Sequence, residues 1–440
     1  VPFPRVLGGP VVLRRRTPMA AFRRIVGKVE GLLDLDSQQE EWATVDCKQV
    51  FQGHQHGVCS LALHKGVLLS ASYDGSLRSW DPSSGNCLQE FHGHTDRVRL
   101  IHVFNDTVYS ASFDGTVRAW NPENATCLRV FTGHDQPIRD LTVKGNLVYS
   151  ASEDETLRAY QDESGECVRT YSGHTDAVNC IEVVRDSIYS GSMDNTVRKW
   201  DIETGACLLN LDDHEDWVWK VQESDGLLWT VSKDKTTRAF DTNTGTCVRI
   251  LYGHASTVKC LQVGDDEVYT GSWDDSIRTW SKESGRCRQE LKHNGRICDM
   301  LLHGSRLFSG STDNMARAWD TQTGQCLATC SGHARLISSL AFDPDTDTLF
   351  TASEDKNIRS WDLRQQTKPA WVPDSASPAC TKCNVDFSLL TRKHHCRHCG
   401  NLFCDACTSR RVVLPKFGYL KPERVCAACL LLIEGQRAVS

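Results

Sequence analysis

Between residues 42 and 364 the chain alternates apolar with small or polar residues in short bursts, each closed by a turn signal. Residues 108–120, VYSASFDGTVRAW, show the figure: alternation, a turn at Phe-Asp-Gly, then alternation again. A period of two on both sides of a tight turn predicts two half-buried strands. The figure returns on a beat of forty residues. A His stands at 54, 94, 134, 174, 214, 254, 293 and 333, and an Asp at 74, 114, 154, 194, 234, 274, 313 and 355. Six residues after each Asp comes an aromatic, from Trp80 through Tyr160 and Phe240 to Trp361. Each period is predicted to hold about four short strands. The segment 45–54, VDCKQVFQGH, matches the outer strand and following turn of a period but has no inner strands before it. It is expected to complete the last unit after Trp361 and so remove the open sheet edges of a linear array.

These anchors resemble the WD-repeat family over about residues 42–364. The resemblance implies an all-β propeller of about eight blades, with His, Asp, a hydroxyl and the aromatic joined by hydrogen bonds inside each blade. A set such as Ser192, His174 and Asp194 resembles a hydrolase triad in composition. A nucleophile is needed once and this set occurs eight times, so the expected role is structural and no enzyme is expected. The Cys at 47, 87, 127, 167, 207, 247, 287 and 326 keep the same beat and are expected to be small buried hydrophobes. The residue before each turn Asp should border the face where the channel opens. Tyr73, Phe113, Met193 and Trp273 are large and apolar there, with Arg97, Arg139, Trp217 and Arg335 nearby. Together they form a candidate surface for a protein partner.

After residue 364 the beat stops, residues 365–370 read as a linker, and a second module spans 371–436. It carries four CxxC pairs: Cys380/Cys383, Cys396/Cys399, Cys404/Cys407 and Cys426/Cys429. Eight thiols in such pairs suit two tetrahedral sites and two Zn²⁺ ions. A module this small has little core, so metal should supply much of its folding energy. WVPD at 371–374, RKHHCR at 392–397 and RVC at 424–426 resemble the signature motifs of the FYVE zinc finger. That resemblance implies binding of phosphatidylinositol 3-phosphate on early endosomal membranes. By motif, Arg392, Lys393, Arg397 and Arg424 would line the phosphate pocket, His394 and His395 would reach phosphate and inositol hydroxyls, and Asp374 would accept from hydroxyls at the rim. It also implies interleaved metal sites, with Cys380, Cys383, Cys404 and Cys407 on one ion. Leu389 and Leu390 match the loop that dips into the bilayer.

A net charge of −6 gives no reason to expect general nucleic-acid binding. No run approaches the ~18 apolar residues of a membrane-spanning helix. An odd count of 21 Cys suits reduced thiols and metal ligands, and hence the cytoplasm. Residues 1–41 read as a poorly ordered tail. The combined reading is a non-enzymatic adaptor, peripheral on early endosomal membranes, whose finger holds the lipid while its propeller holds a protein. The alternative is a substrate receptor of a cullin-type ubiquitin ligase. Residues 355–364, DKNIRSWDLR, resemble a docking box of such receptors, with Arg364 the one feature the repeat does not already explain.

Overall fold

The computed structural model describes residues 44–364 and, beyond them, His394–His395, Leu402–Phe403, Cys407, Arg410–Leu414, Tyr419–Val425 and Leu430. The tail before residue 42 and the 365–370 linker lie outside the described residues.

Eight antiparallel sheets follow one another along the chain, each beginning on an inner strand and ending on an outer one. The first blade runs Val58–His64, Val67–Ser72, Leu77–Trp80, Cys87–Phe91, and the others repeat it. Every second strand is buried almost throughout because neighbouring blades cover both of its faces, as in Val67–Ser72 and Thr107–Ser112. The core therefore lies between sheets. Leu69, Ala71, Leu77 and Phe91 of the first blade pack on Val98, Ile101, Val108 and Trp120 of the second. No blade could bury these faces alone, which is why a closed array is the stable unit.

Closure occurs where the sequence places it. Cys47–Phe51 is the outer strand of the eighth blade, antiparallel to Ile358–Asp362, with Cys47 opposite Trp361 and Phe51 opposite Ile358. Phe51, Phe350 and Ile358 then pack against Val58, Leu68 and Trp80 of the first blade. One strand was not anticipated. Thr44–Val45 runs parallel to Cys326–Ser331 as a fifth strand of the seventh blade, and Val45 joins its core. The N-terminal segment thus ties two blades together.

The periodic cysteines correct an expectation. Cys87, Cys127, Cys167, Cys207 and Cys287 are exposed, Cys47 and Cys247 half-buried, and Cys326 alone of this series is buried. They begin the outer strands, whose far edges are open to solvent; outside the Cys326–Ser331 strand only the fifth residue of each, such as Phe91 or Leu251, is buried. Cys326 is the exception because the added Thr44–Val45 strand pairs along its own strand. Among the described residues, no helix is long and apolar enough to cross a membrane.

Candidate functional site

In all eight blades the anchor His meets the turn Asp, at 2.6–3.0 Å from Nδ1 to Oδ2. The other ring nitrogen meets a buried hydroxyl: His174 Nε2 lies 2.7 Å from Ser190 Oγ, and the Trp200 indole donates to the same oxygen at 2.8 Å. The hydroxyl is Ser190, not Ser192. Both lie on one face of the strand, but Trp200 pairs with Ile188, so its ring reaches only the diagonal neighbour two residues on. Ser192 instead donates to the Asp176 and Ala177 carbonyls and accepts from the Asp194 amide, shaping the turn. In six blades the hydroxyl that a hydrolase would need free is held by both the His and an indole.

Burial alone would raise the Asp carboxyls, but bonds from His, hydroxyl and backbone N–H groups outweigh it. Asp154 and Asp355 are held at about 2, and the other six also fall well below the usual carboxylate range. The seventh blade differs: Met315 replaces the Ser or Thr beside the Asp, and Arg317 pairs with Asp313 at 2.9 Å. Burial, helped by Arg317 and opposed by Asp313, lowers the His293 pKa.

The four apolar residues of the candidate partner surface share one rim. Their amides donate to the loops entering each blade: Tyr73 to Gly57, Phe113 to Arg97, Met193 to Ala177 and Trp273 to Thr257, at 2.8–3.0 Å. All four are half-buried. Arg97 lies over Tyr73 and Arg296 over Trp273, with guanidinium carbons 5.7 and 5.2 Å from the ring centres. The aromatic run continues inward, because Trp219 sits 6.2 Å from Trp273 and 6.0 Å from Trp217. Arg335 borders a cavity beside Tyr73, and Arg139 pairs with Glu153 at 2.7 Å. Arg364 closes a fork on Asp362 at 3.0 and 3.1 Å, so that guanidinium is partnered within its own blade.

The finger residues described form two hairpins. His394 pairs with Phe403 and His395 with Leu402; Arg410 pairs with Val425 and Arg411 with Arg424. The His394–His395 strand lies against the Tyr419–Val425 strand, so the backbone carrying both His adjoins the one carrying Arg424. Arg411, absent from the sequence reading, stands directly across from Arg424. Of the eight Cys, Cys407 is described and is half-buried. Cys380, Cys383, Cys396, Cys399, Cys404, Cys426 and Cys429, with Asp374, Leu389, Leu390, Arg392, Lys393 and Arg397, lie outside the described residues. The donor set itself, eight thiols in four CxxC pairs, fits two zinc ions.

Comparison with known proteins agrees with this geometry. The WD domain, G-beta repeat, matches residues 45–81, 85–121, 125–161, 165–201, 245–281, 285–320 and 324–362, together more than half of the chain. The chain belongs to the WD-repeat family. The FYVE zinc finger matches residues 370–434. Among solved structures, the WD-repeat chain is similar to the computationally designed Ika8 protein, with a TM-score of 0.67 and 27% identity over 73% of this chain and 99% of that one. It is also similar to arrestin domain-containing protein A of Dictyostelium discoideum, 54% identical over 59 residues, which is 13% of this chain. That match covers only 10% of the relative's length.

The WD-repeat matches leave out residues 202–244, which hold the outer strand of the fourth blade and the first three strands of the fifth. There Phe240 replaces the Trp and Thr230 the Ser, so the hydroxyl meets His214 at 2.7 Å but has no indole donor. The blade keeps its four strands all the same. Strand pairing and burial hold it, and the indole bond is an addition. The chain thus joins WD-repeat blades to a FYVE zinc-finger segment.

Proposed function

We propose that the finger docks the chain on phosphatidylinositol 3-phosphate membranes of early endosomes while the rim of Tyr73, Phe113, Met193 and Trp273 holds a protein partner. A 3-phosphate carries about two negative charges and several acceptor oxygens, which forked guanidinium groups satisfy well. Arg392, Lys393, Arg397 and Arg424 would meet the phosphate, His394 and His395 the phosphate and inositol hydroxyls, and Asp374 the hydroxyls at the rim. Its carboxylate would also disfavour inositols with additional phosphates. The interleaved Cys pairs would hold two Zn²⁺ ions, whose contribution is to fold the finger and fix these side chains. Leu389 and Leu390 would enter the bilayer.

The observation that carries this reading is the adjacency of the His394–His395 and Tyr419–Val425 strands, which brings two signature motifs to one place. Flotation with liposomes tests it. Vesicles with phosphatidylinositol 3-phosphate should carry the full-length protein up; vesicles with unphosphorylated phosphatidylinositol, or with an inositol bearing additional phosphates, should not. Equal flotation on all three would contradict the lipid assignment.

A further inference from the structure

The second strand of each blade carries, as its third residue, a side chain that packs on the next blade. In seven blades it is a buried aromatic: Tyr109, Tyr149, Tyr189, Trp229, Tyr269, Phe308 and Phe350. Tyr109, for instance, joins Ile138 and Val148 of the third blade, and Trp229 joins Val268 and Trp280 of the sixth. The first blade alone has a leucine, Leu69. Two companions of the ring are altered with it. Tyr109 interacts with Asp162, Tyr189 with Thr242 and Tyr269 with Thr321, each two residues beyond the next blade's aromatic anchor. The second blade has Pro122 there, whose side chain can neither donate nor accept. On the outer strands, Arg129 donates to the Asp162 carbonyl, Arg249 to that of Glu283 and Gln289 to that of Gln322, bridging to the following blade. Gln89, their counterpart, borders an open cavity instead.

That cavity, of about 550 Å³, lies between the first two blades. Val67, Leu69, Leu88 and Pro122 give it apolar walls, and the exposed Lys65–Asp106 pair, 2.5 Å apart, borders it. Ser79 supplies the detail that points to a ligand. It lines the cavity directly across from Leu69, is buried, and among the described residues its Oγ has no hydrogen-bond partner. Thr279 and Ser360 are unpartnered in the same way, but there Tyr269 and Phe350 stand opposite. An unmet buried hydroxyl and unfilled space beside apolar walls both oppose folding, and an incoming ring would relieve both. The volume is of the size that small-molecule sites have.

We propose that the interface between the first and second blades binds a phenol-class ring, in the place where the other interfaces carry an aromatic of their own. The ring would lie against Leu69 and Leu88, and its hydroxyl would meet Ser79 Oγ. Leu69 sits near the start of the Val67–Ser72 strand, whereas Tyr73 of the rim follows its end, so the slot is separate from the proposed partner surface. A free phenolic molecule and a tyrosine side chain share this chemistry.

Saturation-transfer NMR on the full-length protein with p-cresol, toluene and a capped Gly-Gly-Tyr-Gly-Gly peptide tests the proposal. p-Cresol should bind with a Kd of about 1 mM or below, and about fivefold or more tightly than toluene. Peptide binding at least as tight as that of p-cresol assigns a tyrosine side chain as the source; weaker peptide binding, or none, assigns a free small molecule. Leu69→Tyr installs the ring that the other blades carry. It should weaken p-cresol binding about tenfold or more and raise the melting midpoint. Ser79→Ala removes a single atom and should fold normally; it should abolish the preference for p-cresol while toluene binding stays. Absence of p-cresol binding, or equal binding by wild type and Leu69→Tyr, would overturn the proposal. So would a preference for p-cresol that survives Ser79→Ala, an arm that decides even if Leu69→Tyr fails to fold.

Discussion

The propeller and the finger are held together by different means. In the propeller each blade places a large aromatic against its neighbour, and Trp80, Trp120, Trp200 and Trp361 are fully buried. Hydrophobic burial supplies the driving force and the His–Asp chains add direction. In the finger, Val425 is fully buried, Cys407 and Arg424 half-buried and Arg411 exposed. Short hairpins of this kind are marginal in water unless something else holds them. The contrast shows where each part is vulnerable: the propeller to loss of packing and, on the proposed reading, the finger to loss of metal.

Removing metal should therefore give the largest effect. Structural zinc contributes on the order of 10–16 kcal/mol in small fingers. Chelation should melt the finger and abolish lipid binding while the propeller's β signal and melting midpoint stay put. Zinc analysis of purified protein should find about two ions. A chelator that unfolds both parts together would break the comparison.

Acid should do the converse. The eight turn carboxyls are depressed, so their stabilisation is fully present above the unfolded value of about 4 and is lost as pH falls toward the folded values. The propeller should unfold cooperatively below about pH 4, read by circular dichroism. A propeller of unchanged stability at pH 2 would show that the chains are ornamental.

Closure comes next. Phe51 is 1% exposed and packs between the last blade and the first. Phe51→Ala should cost about 3–5 kcal/mol in urea unfolding and open an aggregation-prone edge. A cost no larger than that of a surface substitution would mean that the ring does not depend on this strand. The smallest effect should come from the indole donors. Trp200→Phe gives the fourth blade the aromatic that the fifth carries at this position and should cost about 1–2 kcal/mol, since Ser190 keeps His174 as a partner. The reverse change, Phe240→Trp, should be neutral or slightly stabilising. A loss above about 4 kcal/mol for Trp200→Phe would assign the chain more weight than blade packing.

Legibility followed the same division. The blade count and the closing strand could be read because the anchors recur and Trp361 lacks an outer partner. Thr44–Val45 could not be read, since two residues carry no period. Ser190 and Ser192 share a face, and only the register with Trp200 separates them. The burial of the periodic outer-strand cysteines could not be read because a small apolar residue in an alternating strand looks the same at an open edge as under a neighbouring blade. Arg99 and Lys259 occupy positions that a polar alternation assigns to solvent; that they converge on a channel is a property of the closed ring. In the finger the motifs were legible as chemistry, but the Arg411–Arg424 pairing was not, since it depends on hairpin register.

In the proposed docking mode one small module both recognises a headgroup and enters a membrane. Comparing binding of soluble inositol 1,3-bisphosphate with binding to phosphatidylinositol 3-phosphate liposomes tests it most directly. Arg397→Ala should abolish both, because a charge-assisted contact of about 1.5–3 kcal/mol is lost in each. Leu389→Ala with Leu390→Ala should leave headgroup affinity nearly unchanged and weaken liposome binding, by up to about 1.5–3 kcal/mol per side chain. What binding remains should be more salt-sensitive, since screening attenuates charge and not burial. Equal loss of headgroup and liposome binding in the Leu variant would make those residues part of the core and contradict the account.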